Sequence, residues 1–236
     1  MKKYISMMAL AAMSMVGFTS CDKDTEGFTS VTYYPVLTME GPVYDLAPSG
    51  TAYADPGCTA LLNGEDVTGE ISVVTSMNMQ NPAPGYYAIN YKVVNADGFS
   101  ASATRYVLVA DPADKASGYY TVGTDSYRDY NGIIYYGGYR LLVVGDGQGN
   151  YEISDLLGGW YEYRAGYGSS CALGADVTID AAGDITLVDS YIQEWGDSAN
   201  SLEDGHFDAA TGTISWKVSY TDYPFIFVVN ATNDNF

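Results

Sequence analysis

The sequence predicts an all-β protein: a small β-sandwich followed by a second antiparallel domain, either a sandwich or barrel-like. Three observations carry this. Short runs rich in Val, Ile, Thr, Tyr and Phe recur along the chain, punctuated by Gly, Asn-Gly and Asp-Gly. Beyond the N-terminal segment no apolar repeat of helical period is sustained. Hydrophobic residues make up 47 % of the chain, enough to fill real cores and to argue against disorder despite a net charge of −19.

The first sixteen residues, MKKYISMMALAAMSMV, pair Lys2 and Lys3 with a short apolar run. That is the charged and hydrophobic order of a secretory signal, and the run is shorter than the ~20 residues that span a bilayer. Small residues and then Cys21 follow. The segment resembles a bacterial lipoprotein signal, which implies a signal peptide over 1–20, cleavage before Cys21 and acyl chains on that cysteine. An ordinary signal peptide with an incidental Cys21 is the plainer alternative. Residues 21–27 form an acidic tether holding Asp22, Asp24 and Glu26. Acids in this place resemble the surface-export signal of Bacteroidetes lipoproteins, which implies an outer-membrane protein facing outward. A solvated charge run explains the same residues.

The first module spans 28–110. Residues 86–94, YYAINYKVV, partly alternate apolar and polar positions, as a half-buried strand does. Asp55-Pro56-Gly57 and Asn95-Ala96-Asp97-Gly98 read as turns, and Pro84-Gly85 launches the long strand. The order Y-x-D-P-G-x-x-A, D-V-T, P-G-x-Y-x-I-x-Y, N-A-D-G and R-x-V-x-V resembles the bacterial Ig-like (cadherin-like) repeat of surface proteins. The resemblance implies an Ig-like sandwich of the kind used as a spacer. Such repeats usually come in tandem, whereas this chain holds one copy.

Residues 111–118, DPADKASG, read as a linker: they are polar, hold Pro and Gly, and follow the strand-like TRYVLVA. The second module, 119–236, repeats one plan. RLLVVGDGQGNYEIS, VTIDAAGDITLVD and FDAATGTISWKVSY each place a Gly/Asp/Asn turn between strand-like runs. Connections this short favour antiparallel pairing. YEISDLLGGWYEY with the last two hairpins is similar to the C-terminal domains of Sus-like accessory lipoproteins. That resemblance implies a β-sandwich or β-barrel domain of poorly defined biochemical role on a surface protein of a polysaccharide-utilisation system, where an outer-membrane transporter complex is a candidate partner.

Composition excludes several classes. Without residues 1–20 the chain keeps 8 Lys+Arg against 29 Asp+Glu, so phosphate backbones and anionic lipid heads are repelled. A single histidine, His206, leaves no Ser-His-Asp triad or multi-His zinc site except with His206 itself. It reads as a surface loop residue. Cys58 and Cys171 fall in different modules and read as two buried free thiols. No cofactor is expected. Among 29 acids nothing singles out a facing pair for glycoside hydrolysis, so no enzyme is expected.

Aromatic residues are the second module's main chemical asset. Sugar rings stack their CH faces on aromatic planes, while phenol and indole groups reach hydroxyls. DSYRDYNG, GGWYEYRAGYG and YIQEWGDSAN combine aromatics with Asp, Arg, Asn or Gln. Trp195, in a polar stretch, is the leading glycan-contact candidate. Trp160 after Gly158-Gly159 is second, and Tyr161, Tyr163, Tyr127 and Tyr130 complete the set. Core and cross-strand packing is the bland alternative for each. Trp216, alternating with polar neighbours, belongs in the core. Asp125, Asp129 and Asn131 offer oxygen ligands for calcium, as does Asp146, yet none matches an EF-hand loop and turn formation accounts for them. The resulting expectation is a lipid-anchored surface protein that binds a polysaccharide or oligosaccharide without cleaving it. The alternatives are an adhesive protein with a protein partner and a small-ligand β-barrel.

Overall fold

A computed structural model describes residues 31–220 and 224–235, so the signal segment 1–20, Cys21 and the acidic tether 21–27 lie outside the described residues. The first domain holds β1 (Val36–Met39), β2 (Tyr44–Pro48), β3 (Cys58–Leu62), β4 (Glu65–Asp66), β5 (Ser72–Thr75), β6 (Gly85–Val94) and β7 (Ser100–Ala110). They form a three-stranded sheet, β1-β3-β4, and a four-stranded sheet, β2-β7-β6-β5. β6 and β7 are the long hairpin, turned by Asn95, whose backbone carbonyl accepts the Gly98 N–H at 3.0 Å and whose side chain accepts the Phe99 N–H at 2.7 Å. β2 lies parallel to β7, unlike every other strand pair in the domain. Ala47, Cys58, Met77, Ile89, Tyr91, Val107 and Val109 fill the space between the sheets.

The motif positions distant in sequence converge here. Arg105 on β7 is fully buried and donates from Nε to Asp55 at 3.1 Å. Tyr91 on β6 donates its hydroxyl to both oxygens of the same carboxylate, at 2.6 and 2.7 Å. The two terminal nitrogens of Arg105 reach the carbonyls of Glu40, Pro42 and Gly57. One guanidinium therefore ties β7 to two loops, and each of its three nitrogens finds an acceptor, as burial of a charge requires.

Ten strands make the second domain: β8 (Gly118–Val122), β9 (Ser126–Asp129), β10 (Ile133–Tyr136), β11 (Arg140–Gly145), β12 (Asn150–Ile153), β13 (Leu173–Ile179), β14 (Ile185–Ile192), β15 (Ala199–Asp208), β16 (Thr213–Tyr220) and β17 (Phe225–Asn233). All pair antiparallel in one sheet, running β10-β9-β17-β8-β11-β12-β13-β14, with β16 and then β15 branching from β17. The expected hairpins at GDGQGN, DAAGD and DAATG are β11–β12, β13–β14 and β15–β16.

The sheet curls into a half-barrel, and β14 meets β15 across the open side. Their seam is narrow: Asp184 bridges His206, and the Phe207 N–H donates to the Gly183 carbonyl at 2.8 Å. Gly183 sits at φ 93°, and a Cβ there would drive into the Phe207 carbonyl, so only glycine closes this seam. His206 is thus on strand β15 opposite Ser215, not in a loop; the Gly205 and Asp204 turn signal marks a register shift inside the strand. Trp216 is buried at the centre of the curl and donates Nε1–H to the Leu156 carbonyl at 2.8 Å. Cys58 and Cys171 are both free and buried.

Candidate functional site

Between β12 and β13 the chain does not turn tightly. Residues 154–172 fold over one end of the curled sheet and plug it. Asp155 organises the start of this segment. It is 2 % exposed, and its carboxylate accepts the N–H groups of Leu157 at 2.9 Å, Gly159 at 2.8 Å and Leu173 at 3.0 Å. Burial outweighs those three donors and pushes its carboxyl up to about 6. Leu156 and Leu157 are buried behind it, and the Leu157 carbonyl accepts the Tyr136 hydroxyl at 2.8 Å.

Gly158 and Gly159 then take φ of 58° and 82°, and a wide π-type turn, Trp160–Arg164, follows. The paired glycines admit a close approach from within the protein. A Cβ on Gly159 would stand 2.8 Å from the Tyr139 Cβ and the Tyr163 ring. This turn sends successive aromatics in different directions. Trp160 points inward, 5 % exposed, with Tyr136 edge-on at 5.1 Å and Phe227 at 5.9 Å. A sugar does not reach a ring so enclosed, so the expectation of an exposed Trp160 is corrected: the glycines turn it into the core.

Tyr163 points the other way, 47 % exposed and stacked on Tyr139 at 5.5 Å. The two form one wall of a cleft of about 720 Å³ between the second domain and the first. The opposite wall comes from the Ig-like domain. Tyr44 on β2 and Tyr106 on β7 are direct cross-strand partners and stack at 5.5 Å. Tyr86 on β6, diagonal to Tyr106 through the Ala88 pairing, stacks on it at 5.7 Å. Tyr119 closes the base, edge-on to Tyr44 and Tyr86 at 5.7 and 6.4 Å. Its hydroxyl reaches the carbonyls of Asp45 and Tyr106, both at 3.3 Å.

Two charged groups line the same cleft. The Arg140 guanidinium lies 4.2 Å from the centre of the Tyr44 ring. Glu162 lies beside Tyr163, and desolvation raises its carboxyl above the usual range. Burial likewise pushes the hydroxyls of Tyr86 and Tyr163 up to about 12, so both are O–H donors at neutral pH. Flat rings, hydroxyl donors and a single charged group of each sign make a surface suited to polyhydroxylated, ring-shaped ligands.

A second aromatic face lies on the other side of the turn. Trp195, 41 % exposed, meets Tyr161 edge-on at 4.9 Å and Tyr167 at 6.0 Å, and Tyr161 stacks with Tyr167 at 6.1 Å. Trp195 and Tyr161, far apart in sequence, are thus brought together. Tyr163 is not with them, and Tyr130 packs elsewhere, against Phe225 at 4.5 Å. Tyr127 on β9 packs edge-on to Tyr135 at 5.9 Å, a cross-strand pair.

Tyr44, Tyr86 and Tyr106 are not among the contacts predicted from the sequence, all of which fall in the tyrosine-dense second domain. The available signal was Tyr86 and Tyr106 on the face opposite the core positions Ile89, Tyr91, Val107 and Val109. The calcium candidates have turn and strand roles. Asp125 accepts from the Asn230 side chain at 2.9 Å, Asp129 on β9 pairs with Ile133 on β10, and Asn131 takes φ 55° in the β9–β10 turn. Asp146 accepts the Gln148 N–H at 2.7 Å and the Asn150 side chain at 2.7 Å. Among the described residues no group of three or more His, Cys, Asp or Glu side chains is placed to hold a metal ion.

An Ig-like sandwich joined to a curled antiparallel sheet is the class of protein that the fold defines. The family model for the bacterial surface protein Ig-like domain matches residues 37–109, and a family model for a C-terminal domain matches residues 110–233. The crystal structure of the lipoprotein BT2262 from Bacteroides thetaiotaomicron aligns with a TM-score of 0.76 and 34 % identity, covering 85 % of this chain and 100 % of that one. The chain belongs to the family of that lipoprotein. Two structures from Clostridium perfringens ZmpB also align. One is the M60 catalytic domain with two CBM51 domains, at 15 % identity over 88 % of this chain and 22 % of that one. The other is CBM51-2 in complex with GlcNAc, with INT domains, at 13 % identity over 85 % and 44 %. Their TM-scores, 0.28 and 0.27, are too low to bear on this chain. No match was found among curated proteins.

Proposed function

We propose that the protein is a surface lipoprotein, anchored through Cys21 in the outer membrane and facing outward, that binds an extracellular glycan without cleaving it. Residues 28–110 act as the Ig-like domain and 119–236 as the C-terminal domain, joined by 111–118. The junction cleft carries this reading. Six tyrosines from both domains line it, and their stacked rings and protonated hydroxyls match the alternating CH faces and hydroxyls of a saccharide. Glu162 is the one carboxylate lining the cleft among the described residues, whereas glycoside hydrolysis uses a facing pair. Membership in the BT2262 lipoprotein family supports the anchor, and delivery to an outer-membrane transporter complex of a polysaccharide-utilisation system fits a binder of this kind.

Native affinity electrophoresis through a panel of polysaccharide gels tests the proposal. The protein is expected to be retarded in at least one gel. Tyr163→Ala and Tyr86→Ala are each expected to abolish that retardation, with the melting temperature within a few degrees of wild type. Retardation unchanged in both variants would remove the cleft as the site.

A second reading, docking of a protein partner, rests on β10. This edge strand of the large sheet leaves Ile133 52 % and Tyr135 63 % exposed, beside unpaired backbone groups. Self-association that Ile133→Lys abolishes would favour it.

A further inference from the structure

Acids outnumber bases 29 to 10 in this chain, so an arginine with no carboxylate neighbour stands out. Arg128 on β9 and Arg164 at the end of the π-type turn both lie over the Trp160 ring, with guanidinium carbons 4.6 and 4.3 Å from its centre. Among the described residues neither is within ion-pair reach of an acid; the ion pairs formed are Arg105–Asp55, His206–Asp184 and Lys217–Glu203. The buried Nε of Arg128 has no hydrogen-bond partner, an orphaned donor of the sort that folded proteins seldom leave. The acids nearby are engaged or partly withdrawn from water. Asp197 accepts the Tyr220 hydroxyl at 2.7 Å, and Glu162 sits beside Tyr163 with its carboxyl raised by desolvation.

We infer that Arg128 and Arg164 form an anion-recognising subsite beside the Trp195 face, and that the glycan is acidic, carrying carboxylate or sulfate groups. This rests on the glycan-binding reading and adds the ligand's charge to it. Two cations on one indole repel each other, and the ring's quadrupole offsets only part of that. Their distances from a shared ring centre keep the guanidinium carbons no more than about 9 Å apart, so acid groups carried by one bound saccharide chain can meet both charges. The subsite adjoins an aromatic platform. Trp160, which both arginines cover, and Tyr161, which Trp195 meets edge-on, pack against the same Phe227 ring, at 5.9 and 6.4 Å. A sugar ring on Trp195 and Tyr167 would present its acid group toward the two arginines, and guanidinium suits planar carboxylate and sulfate faces.

The test is affinity electrophoresis of the protein through gels holding polygalacturonate, a sulfated galactan or a neutral galactan. Retention is expected in one of the two charged gels, against the protein's own negative charge, and weaker retention in the neutral gel. Which charged gel retains it distinguishes carboxylate from sulfate. Arg164→Gln, at an exposed position, is expected to weaken retention in that gel at least about tenfold while leaving the melting temperature unchanged; Arg164→Lys is expected to restore part of it. Arg128→Gln is expected to act in the same direction, with its fold checked by circular dichroism. Equal retention in neutral and charged gels, or charged-gel retention insensitive to Arg164→Gln, overturns the subsite and leaves the glycan reading standing. No retention in any gel across the wider polysaccharide panel overturns both.

Discussion

Asp55 in the Ig-like domain faces a guanidinium and a phenol, whereas Asp155 in the C-terminal domain faces three backbone N–H groups and no ion-pair partner among the described residues. Both carboxylates pin a loop to a core, by different physics. The Ig-like core is small, so cohesion comes from one buried cation that gathers Asp55 and three loop carbonyls from 40–57. The C-terminal core is larger and is sealed by the plug at 154–172, in which a desolvated acid serves as a backbone cap. An ion pair fails when either partner is removed, because the other is left buried and uncompensated. A lone desolvated acid fails instead when it ionises.

Removing the cation gives the sharpest contrast. Arg105→Ala is expected to destabilise the Ig-like domain by about 3–5 kcal/mol, since it strands Asp55 and several carbonyls. Urea denaturation followed by Tyr fluorescence would measure this; a loss under about 1 kcal/mol would mean that the pair behaves like an exposed one. Next comes pH. The folded carboxyl of Asp155 sits near 6 against an unfolded value of 3.8, so its protonated form is favoured by folding. Its contribution is fully present below pH 4 and is lost as pH rises through 6. Two units correspond to about 3 kcal/mol, and Asp155→Asn is expected to remove this component. The stability difference between wild type and variant should therefore shift by that order between pH 4 and 7. A difference that stays constant over this range would place the carboxyl at an ordinary value. The smallest effect is expected at Trp195→Ala, on the face away from both cores: under about 1 kcal/mol in thermal melts, with glycan retention reduced. A larger loss of stability would make Trp195 part of the plug rather than of a binding face.

Three hairpins of the second domain were legible from local chemistry. GDGQGN, DAAGD and DAATG supply turn residues, and the flanking Val, Ile and Tyr runs have strand period, so neighbours in sequence became neighbours in the sheet. The Ig-like motif was legible for the same reason, and its Asp, Tyr and Arg positions turned out to be one hydrogen-bonded cluster. Trp160 was misplaced because Gly158-Gly159 signals an unusual backbone path without saying which side the path faces. His206 was misplaced because a register shift inside β15 carries the same Gly and Asp signature as a loop. Of the glycan candidates, Tyr161 and Trp195 share a face and Tyr163 lines the cleft, and neither grouping follows from spacing along the chain.

By itself the sequence determined what depends on nearest neighbours: the all-β class, the turns and the strand periods. Tertiary structure alone decided what depends on residues far apart in the chain. It set Tyr44, Tyr86 and Tyr106 of one domain against Tyr139 and Tyr163 of the other, and placed Arg128 and Arg164 on one indole. The physical reason is range. A turn or a strand is chosen by backbone preferences and burial within a few residues, whereas a binding surface is a meeting of side chains that only the packed core brings together.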